Sequence, residues 1–175
     1  MKLWRLLPFA VFVILACFLW KGLFLEPQKL PSVQLGRALP SFELDSLNDE
    51  HRFTPDLLKG QISLLNVWAS WCPACTEEQV FLTQLSQQGV PIFGINYKDN
   101  SDSAKQWLKD WGNPYRNVGE DRDGKLSIDL GVYGAPETFL IDKKGIIRYR
   151  HVGVLDEQSW NANFLPLIKK LEAEL

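Results

Sequence analysis

Cys72 and Cys75, in Trp71-Cys72-Pro73-Ala74-Cys75, are the residues whose type and spacing point most directly to chemistry. Two intervening residues bring both sulfurs onto the first turn of a helix. There the first cysteine faces unsatisfied N–H groups and the positive end of the helix dipole. Those groups favour thiolate over thiol, and thiolate is the attacking species in disulfide exchange. Cys72 is therefore the expected nucleophile. Cys75, one turn deeper, is expected to resolve the mixed disulfide and to close a Cys72–Cys75 bridge. The same spacing fits an inert surface disulfide or half of a zinc knuckle. Zinc would need a second ligand pair, and the chain has only three cysteines and two histidines. His51 and His151 lack ligand spacing to the pair, so no metal and no cofactor is expected. A junction of strand and helix around the motif speaks against an inert bridge.

A second landmark is Gly131-Val132-Tyr133-Gly134-Ala135-Pro136-Glu137-Thr138-Phe139. A proline just before a strand can adopt the cis form at small cost. Placed beside the disulfide, Pro136 would leave the backbone of Ala135 free to pair with an incoming extended chain. Two acidic positions stand near these landmarks. Glu78, in the second turn after the cysteines, would oppose a thiolate by like-charge repulsion. That makes the reduced pair less stabilised and a better electron donor. Its neighbour Glu77 reads as a solvated helix face. Glu137 is expected at the edge of the substrate groove, as an exposed charge that selects partners. Trp71 is expected in the docking surface, and Pro73 at a first helical turn that tolerates proline.

The elements around these residues form an α/β pattern with a mixed sheet. Ile62 to Trp68 is an apolar, branched run that suits a strand buried on both faces. Thr76 to Leu85 has helical character and ends at Gly89. Pro91 to Tyr97 reads as a second buried strand. Asp102 to Trp111 is an amphipathic helix, with Ser101 or Asp102 as its cap. Lys125 to Leu130 is a short helix. Thr138 to Ile141 and Ile146 to Val152 flank the hairpin signal Asp142-Lys143-Lys144-Gly145. Asp156 to Leu175 closes the chain as a helix, with a bend at Pro166. Upstream, Phe42-Glu43-Leu44 reads as a short strand, and Thr54-Pro55-Asp56 starts a short helix that ends by Gly60.

The N-terminus is different in kind. Leu6 to Trp20 is an uncharged apolar run between Arg5 and Lys21. Extended to Leu3–Leu25 it would span about 34 Å as a helix, against a hydrocarbon core of about 30 Å. This predicts residues 1–5 in the cytoplasm, a membrane anchor over 6–25, a proline-bearing tether over 26–38 and a folded domain over 39–175. Lys2 and Arg5 favour a cytoplasmic N-terminus. A cleaved signal peptide and a lipid attached at Cys17 remain as alternatives. Each puts the domain outside the cytoplasm. The body of the chain has no run of Lys or Arg, and the net charge is −2, so no nucleic-acid partner is expected.

These motifs together resemble the thioredoxin superfamily. More closely, they resemble the membrane-anchored thiol:disulfide interchange proteins of cytochrome c biogenesis, the DsbE (CcmG) family. The resemblance covers essentially the whole chain. It rests on the anchor, Leu39-Pro40-Ser41-Phe42, Leu64 to Ser70, the cysteine motif, Gly94-Ile95-Asn96-Tyr97-Lys98-Asp99, and Val132 to Asp142. The resemblance implies a thioredoxin-like fold with an N-terminal extension and one transmembrane helix. It implies a periplasmic reductant, held on the bacterial inner membrane, that keeps the haem-binding cysteines of apocytochrome c, or a partner thiol protein, reduced. A transmembrane reductase of the DsbD/CcdA type would re-reduce it. The family's acidic residues map onto Glu78 and Glu137, and Tyr133 maps beside the groove. Other readings are a general disulfide oxidant or isomerase, and a non-catalytic holdase of unfolded apocytochrome. A dedicated oxidant would carry a large helical insertion between Cys75 and Pro136, for which the 60 intervening residues leave little room. A pure holdase would not need an intact cysteine pair.

Overall fold

The computed structural model describes residues 7–23, 34–47 and 51–173. They fall into two units, Met1–Pro31 and Ser32–Leu175. The first is helix α1, Leu7–Leu23. Its side chains are exposed throughout from Leu7 to Trp20, and Cys17 on it is an exposed free thiol. Among the described residues, no helix is long and apolar enough to cross a membrane. Residues 1–6 and 24–33, which include both ends of the expected anchor and most of the tether, lie outside the described residues.

The second unit is built on β1, Ser63–Trp68, all six residues of which are buried. Side chains alternate across a strand, so Leu64, Asn66 and Trp68 face one side of the sheet and Leu65 and Val67 the other. Each side has its own core. Leu64 and Trp68 join a cluster with both cysteines, Leu82, Trp107, Tyr115, Leu155 and Phe164. Leu65 and Val67 join Phe53, Leu58, Ile95, Leu126 and Phe139. Helix α2, Pro73–Gln87, follows directly. Then come β2, Ile92–Tyr97, α3, Ser101–Trp111, β3, Val118–Asp121, and α4, Lys125–Asp129. The hairpin β4, Glu137–Ile141, and β5, Ile147–Val152, completes the sheet. Its order is β3-β2-β1-β4-β5. β1, β2 and β3 are parallel, while β4 runs antiparallel to β1 and to β5.

Several details depart from the sequence reading. β3 was not expected: it is a four-residue edge strand carrying Gly119, Glu120 and Asp121, types poor in strand propensity. The cap of α3 is Asn100, whose side chain accepts from the backbone N–H of Asp102 at 3.0 Å and of Ser103 at 3.1 Å. Phe42 to Leu44 forms no strand; Leu44 makes only an isolated bridge with Phe53. Gly36 and Leu39 donate along the hairpin, to Ile147 O and Gly145 O, so the folded unit reaches back into the expected tether. The closing helix runs as α5, Glu157–Ser159, a wider π turn, Trp160–Phe164, and α6, Leu165–Ala173. The wide turn lies directly ahead of Pro166, whose ring has no N–H to donate and crowds the carbonyl four residues back.

Gly94 in β2 sits beside Asn66 and opens the space that the aromatic stack fills. A Cβ there would come within 2.8 Å of Trp68 Nε1 and 3.1 Å of Tyr115 Cγ. The Trp68 ring stacks at 5.6 Å on Tyr115 and at 4.9 Å on Trp107. Gly94→Ala is expected to displace Tyr115 and destabilise the unit by about 1–3 kcal/mol, the usual cost of overpacking. Urea unfolding checks this, and an unchanged midpoint would count against the close fit.

Candidate active site

Cys72 caps the N-terminus of α2 and is disulfide-bonded to Cys75. The Cys75 backbone N–H donates to Cys72 Sγ at 3.1 Å, so the first sulfur sits among helix N-terminal N–H groups. Pro73 occupies the first turn, where its missing N–H costs nothing. In the oxidised protein both cysteines are buried, Cys72 at 3% and Cys75 at 1% exposure. Trp71, next to Cys72 in the chain, is 53% exposed, and Tyr133 is 66% exposed. The Ala135–Pro136 bond is cis. Ala135 packs against the cluster that contains both cysteines, and Pro136 O accepts from Gly153 N–H at 3.0 Å.

Glu78 follows Cys75 by three residues on α2, a spacing that places two side chains on one helix face. It is 1% exposed. Its Oε1 accepts from Asn66 Nδ2 at 2.8 Å and its Oε2 from Leu155 N–H at 2.9 Å. Asn66 Nδ2 also reaches Thr138 Oγ1 at 3.0 Å, and Tyr115 OH donates to Asn66 Oδ1 at 2.8 Å. Burial raises the Glu78 carboxyl from 4.5 to about 7, against the pull of the Leu155 and Asn66 hydrogen bonds. Burial, and then the Glu78 charge, push the Tyr115 hydroxyl well above its ordinary value. Asn66, Tyr115, Thr138 and Leu155 were not singled out in the sequence. Only Asn66 carried a signal, as a lone amide inside an apolar strand, where a buried polar group demands partners.

Glu137 is placed otherwise than the sequence suggests. It pairs with Val67 in the sheet, while Thr138 pairs with Asn66. The alternation of the strand therefore turns Glu137 to the face away from α2. It is 1% exposed, not a groove-edge charge. Its Oε2 accepts from Arg150 Nε at 2.7 Å and its Oε1 from Tyr133 N–H at 2.8 Å. Arg150 in turn lies 4.7 Å from the Tyr133 ring centroid. Glu137 thus organises the loop before Pro136 from beneath. Glu77 is exposed, as a solvated helix face should be.

Comparison with known proteins agrees with this geometry. Residues 34–164 match the redoxin family. The chain is 50% identical over 167 residues to the thiol:disulfide interchange protein DsbE of Pseudomonas aeruginosa, covering 95% of this chain and 93% of that one. It is 46% identical over 176 residues to DsbE of Escherichia coli K12, covering 97% and 95%. Among solved structures, a secreted thiol-disulfide isomerase from Corynebacterium glutamicum superposes with a TM-score of 0.65 at 25% identity, over 75% of this chain and 85% of that chain.

The raised Glu78 carboxyl makes stability depend on pH. The folded state holds this proton up to about pH 7, the unfolded chain only to about 4.5. The associated stability is fully present below pH 4.5 and is lost as pH rises through 7. At ~1.4 kcal/mol per pKa unit the loss is on the order of 3 kcal/mol. Urea unfolding of the oxidised protein from pH 5 to 8 is expected to show this decline, and Glu78→Gln to flatten it. Parallel profiles would contradict the assignment.

Proposed function

The chain belongs to the redoxin family and, within it, to the DsbE thiol:disulfide interchange proteins, and from that premise we propose that it is a membrane-anchored reductant of cytochrome c maturation. The observation that carries the direction is the buried carboxyl of Glu78 behind Cys75. Ionised, it opposes a thiolate at the pair and offsets the helix dipole that favours one. The reduced state then gains less than in a strong oxidant, and the potential falls.

In the proposed cycle, the Cys72 thiolate attacks a substrate disulfide and releases one substrate thiolate. The Cys75 thiolate then attacks Cys72 Sγ, closes the Cys72–Cys75 bond and releases the second. Glu78, one turn beyond Cys75 and titrating near neutrality, suits a group that takes the Cys75 proton in this step. The substrate is the haem-binding cysteine pair of apocytochrome c or a partner thiol protein. Two electrons return from a DsbD/CcdA-type transmembrane reductase. Trp71, Tyr133 and the Ala135 backbone form the docking face, on which an extended chain would add beside Pro136. For the anchor, support comes from the exposed apolar side chains of α1. It comes too from the apolar sequence that continues in Leu3, Trp4, Leu6, Phe24 and Leu25, with Lys2 and Arg5 ahead. The catalytic unit would then lie on the periplasmic side of the inner membrane.

Equilibration with glutathione tests the direction. A potential below about −180 mV is expected, whereas one near −120 mV, typical of strong oxidants, would contradict a reductant. Cys75→Ser is expected to trap apocytochrome c or its partner thiol protein through Cys72, and failure to trap either would remove the proposed substrate.

A further inference from the structure

The stretch Asn96-Tyr97-Lys98-Asp99 at the end of β2 has no part in the chemistry above, yet it grips the segment that leads into Cys72. The Asp99 carboxylate accepts four hydrogen bonds. Oδ2 takes Ser70 N–H at 2.6 Å and Asn96 Nδ2 at 2.9 Å. Oδ1 takes Ser70 Oγ–H at 2.8 Å and Asn100 N–H at 2.8 Å. One residue back, Lys98 O accepts from Trp71 Nε1–H at 3.0 Å. Lys98 has φ +45°, the one non-glycine with positive φ among the described residues. L-residues avoid this region, and they keep it where the surroundings over-determine it. Here its side chain packs on Gly124, where a Cβ would come within 2.3 Å of Lys98 Cε. The Trp71 ring also meets Tyr97, at 6.3 Å between centroids.

We propose that Asp99 is a positioning residue for the docking face: by clamping Ser70, with Lys98 O clamping Trp71, it holds the exposed Trp71 ring in one orientation beside Cys72. An exposed tryptophan would otherwise have to be ordered each time a protein substrate docks. Ordering such a side chain in advance removes that cost from binding. The carboxylate is needed because both of its oxygens are used by N–H or O–H donors. An amide at this position offers one acceptor oxygen only. The inference rests on thiol:disulfide exchange itself and not on the direction of electron flow.

The test uses the full-length protein in detergent micelles, reduced with dithiothreitol and assayed for reduction of insulin disulfides. For Asp99→Asn the KM for insulin is expected to rise about 2- to 10-fold, the cost of immobilising one side chain, with kcat within about twofold. The Trp71 indole N–H resonance, assigned by its loss in Trp71→Phe, is expected to exchange faster with solvent in Asp99→Asn. In a Trp71→Phe background, Asp99→Asn is expected to raise KM no further, since the ring that Asp99 positions is gone. Ser70→Ala, which removes one of the four bonds, carries the same test if Asp99→Asn does not fold, with smaller shifts of the same sign. A fall in kcat at unchanged KM would overturn the assignment. So would an indole N–H that stays equally protected, or KM effects that multiply in the double variant.

Discussion

The hydrogen bond from Asn66 Nδ2 to Glu78 Oε1 joins the central strand to the active-site helix, and most of the site depends on it. Burying a carboxyl without partners is costly, and the cost falls as donors are supplied. Asn66 supplies one and the Leu155 backbone the other. Asn66 in turn is fixed by Thr138 on β4 and by the Tyr115 hydroxyl. Asn66 and Glu78 together therefore tie β1, α2, β4, the loop between α3 and β3, and the loop behind β5. Because β1 also leads directly into Cys72, the strand that anchors Glu78 sets the path to the nucleophile.

The two acids of the site work on opposite faces of one sheet. Glu78 lies three residues past Cys75 on α2 and stays without a cation among its hydrogen-bond partners. Its burial then acts on its proton. Glu137 lies on the other face with Arg150, a buried pair of the kind that specifies geometry more than it adds stability. Its bond to Tyr133 N–H shapes the loop that presents Ala135. A shift of one residue in the β1–β4 register would turn Glu137 toward the α2 face and Thr138 away from Asn66, since alternate residues face opposite sides. Register is thus part of the chemistry, and the buried apolar residues on both faces of β1 and β4 hold it.

Much of this was legible in the chain. The cysteine pair, its strand-to-helix setting, the strand over Ile92–Tyr97 and the hairpin around Asp142–Gly145 follow from spacing, branched apolar runs and turn residues. So does the apolar N-terminal helix. Local patterns do not carry what depends on partners distant in sequence. β3 is short and acidic, and it exists because β2 and the Ser46 bridge give it neighbours. Glu137 reads as a surface charge until Arg150, 13 residues on, is seen beneath the loop. Glu78 reads as a charge near a thiolate; the burial that raises its carboxyl toward neutrality comes from packing of segments distant in sequence, and Leu155, 77 residues away, supplies a hydrogen bond that only partly offsets it. Asn66 could have been flagged as a buried amide, but its partners could not.

Burial brings the Glu78 carboxyl to about 7, within the range in which disulfide exchange runs. The most direct measurement is the 13C shift of the Glu78 side-chain carboxyl in oxidised full-length protein, followed from pH 3 to 9 and assigned by its loss in Glu78→Gln. A midpoint near 7 is what the buried site requires. A midpoint near 4.5 would mean that the carboxyl is solvated, and would contradict a neutral-range proton acceptor at Glu78.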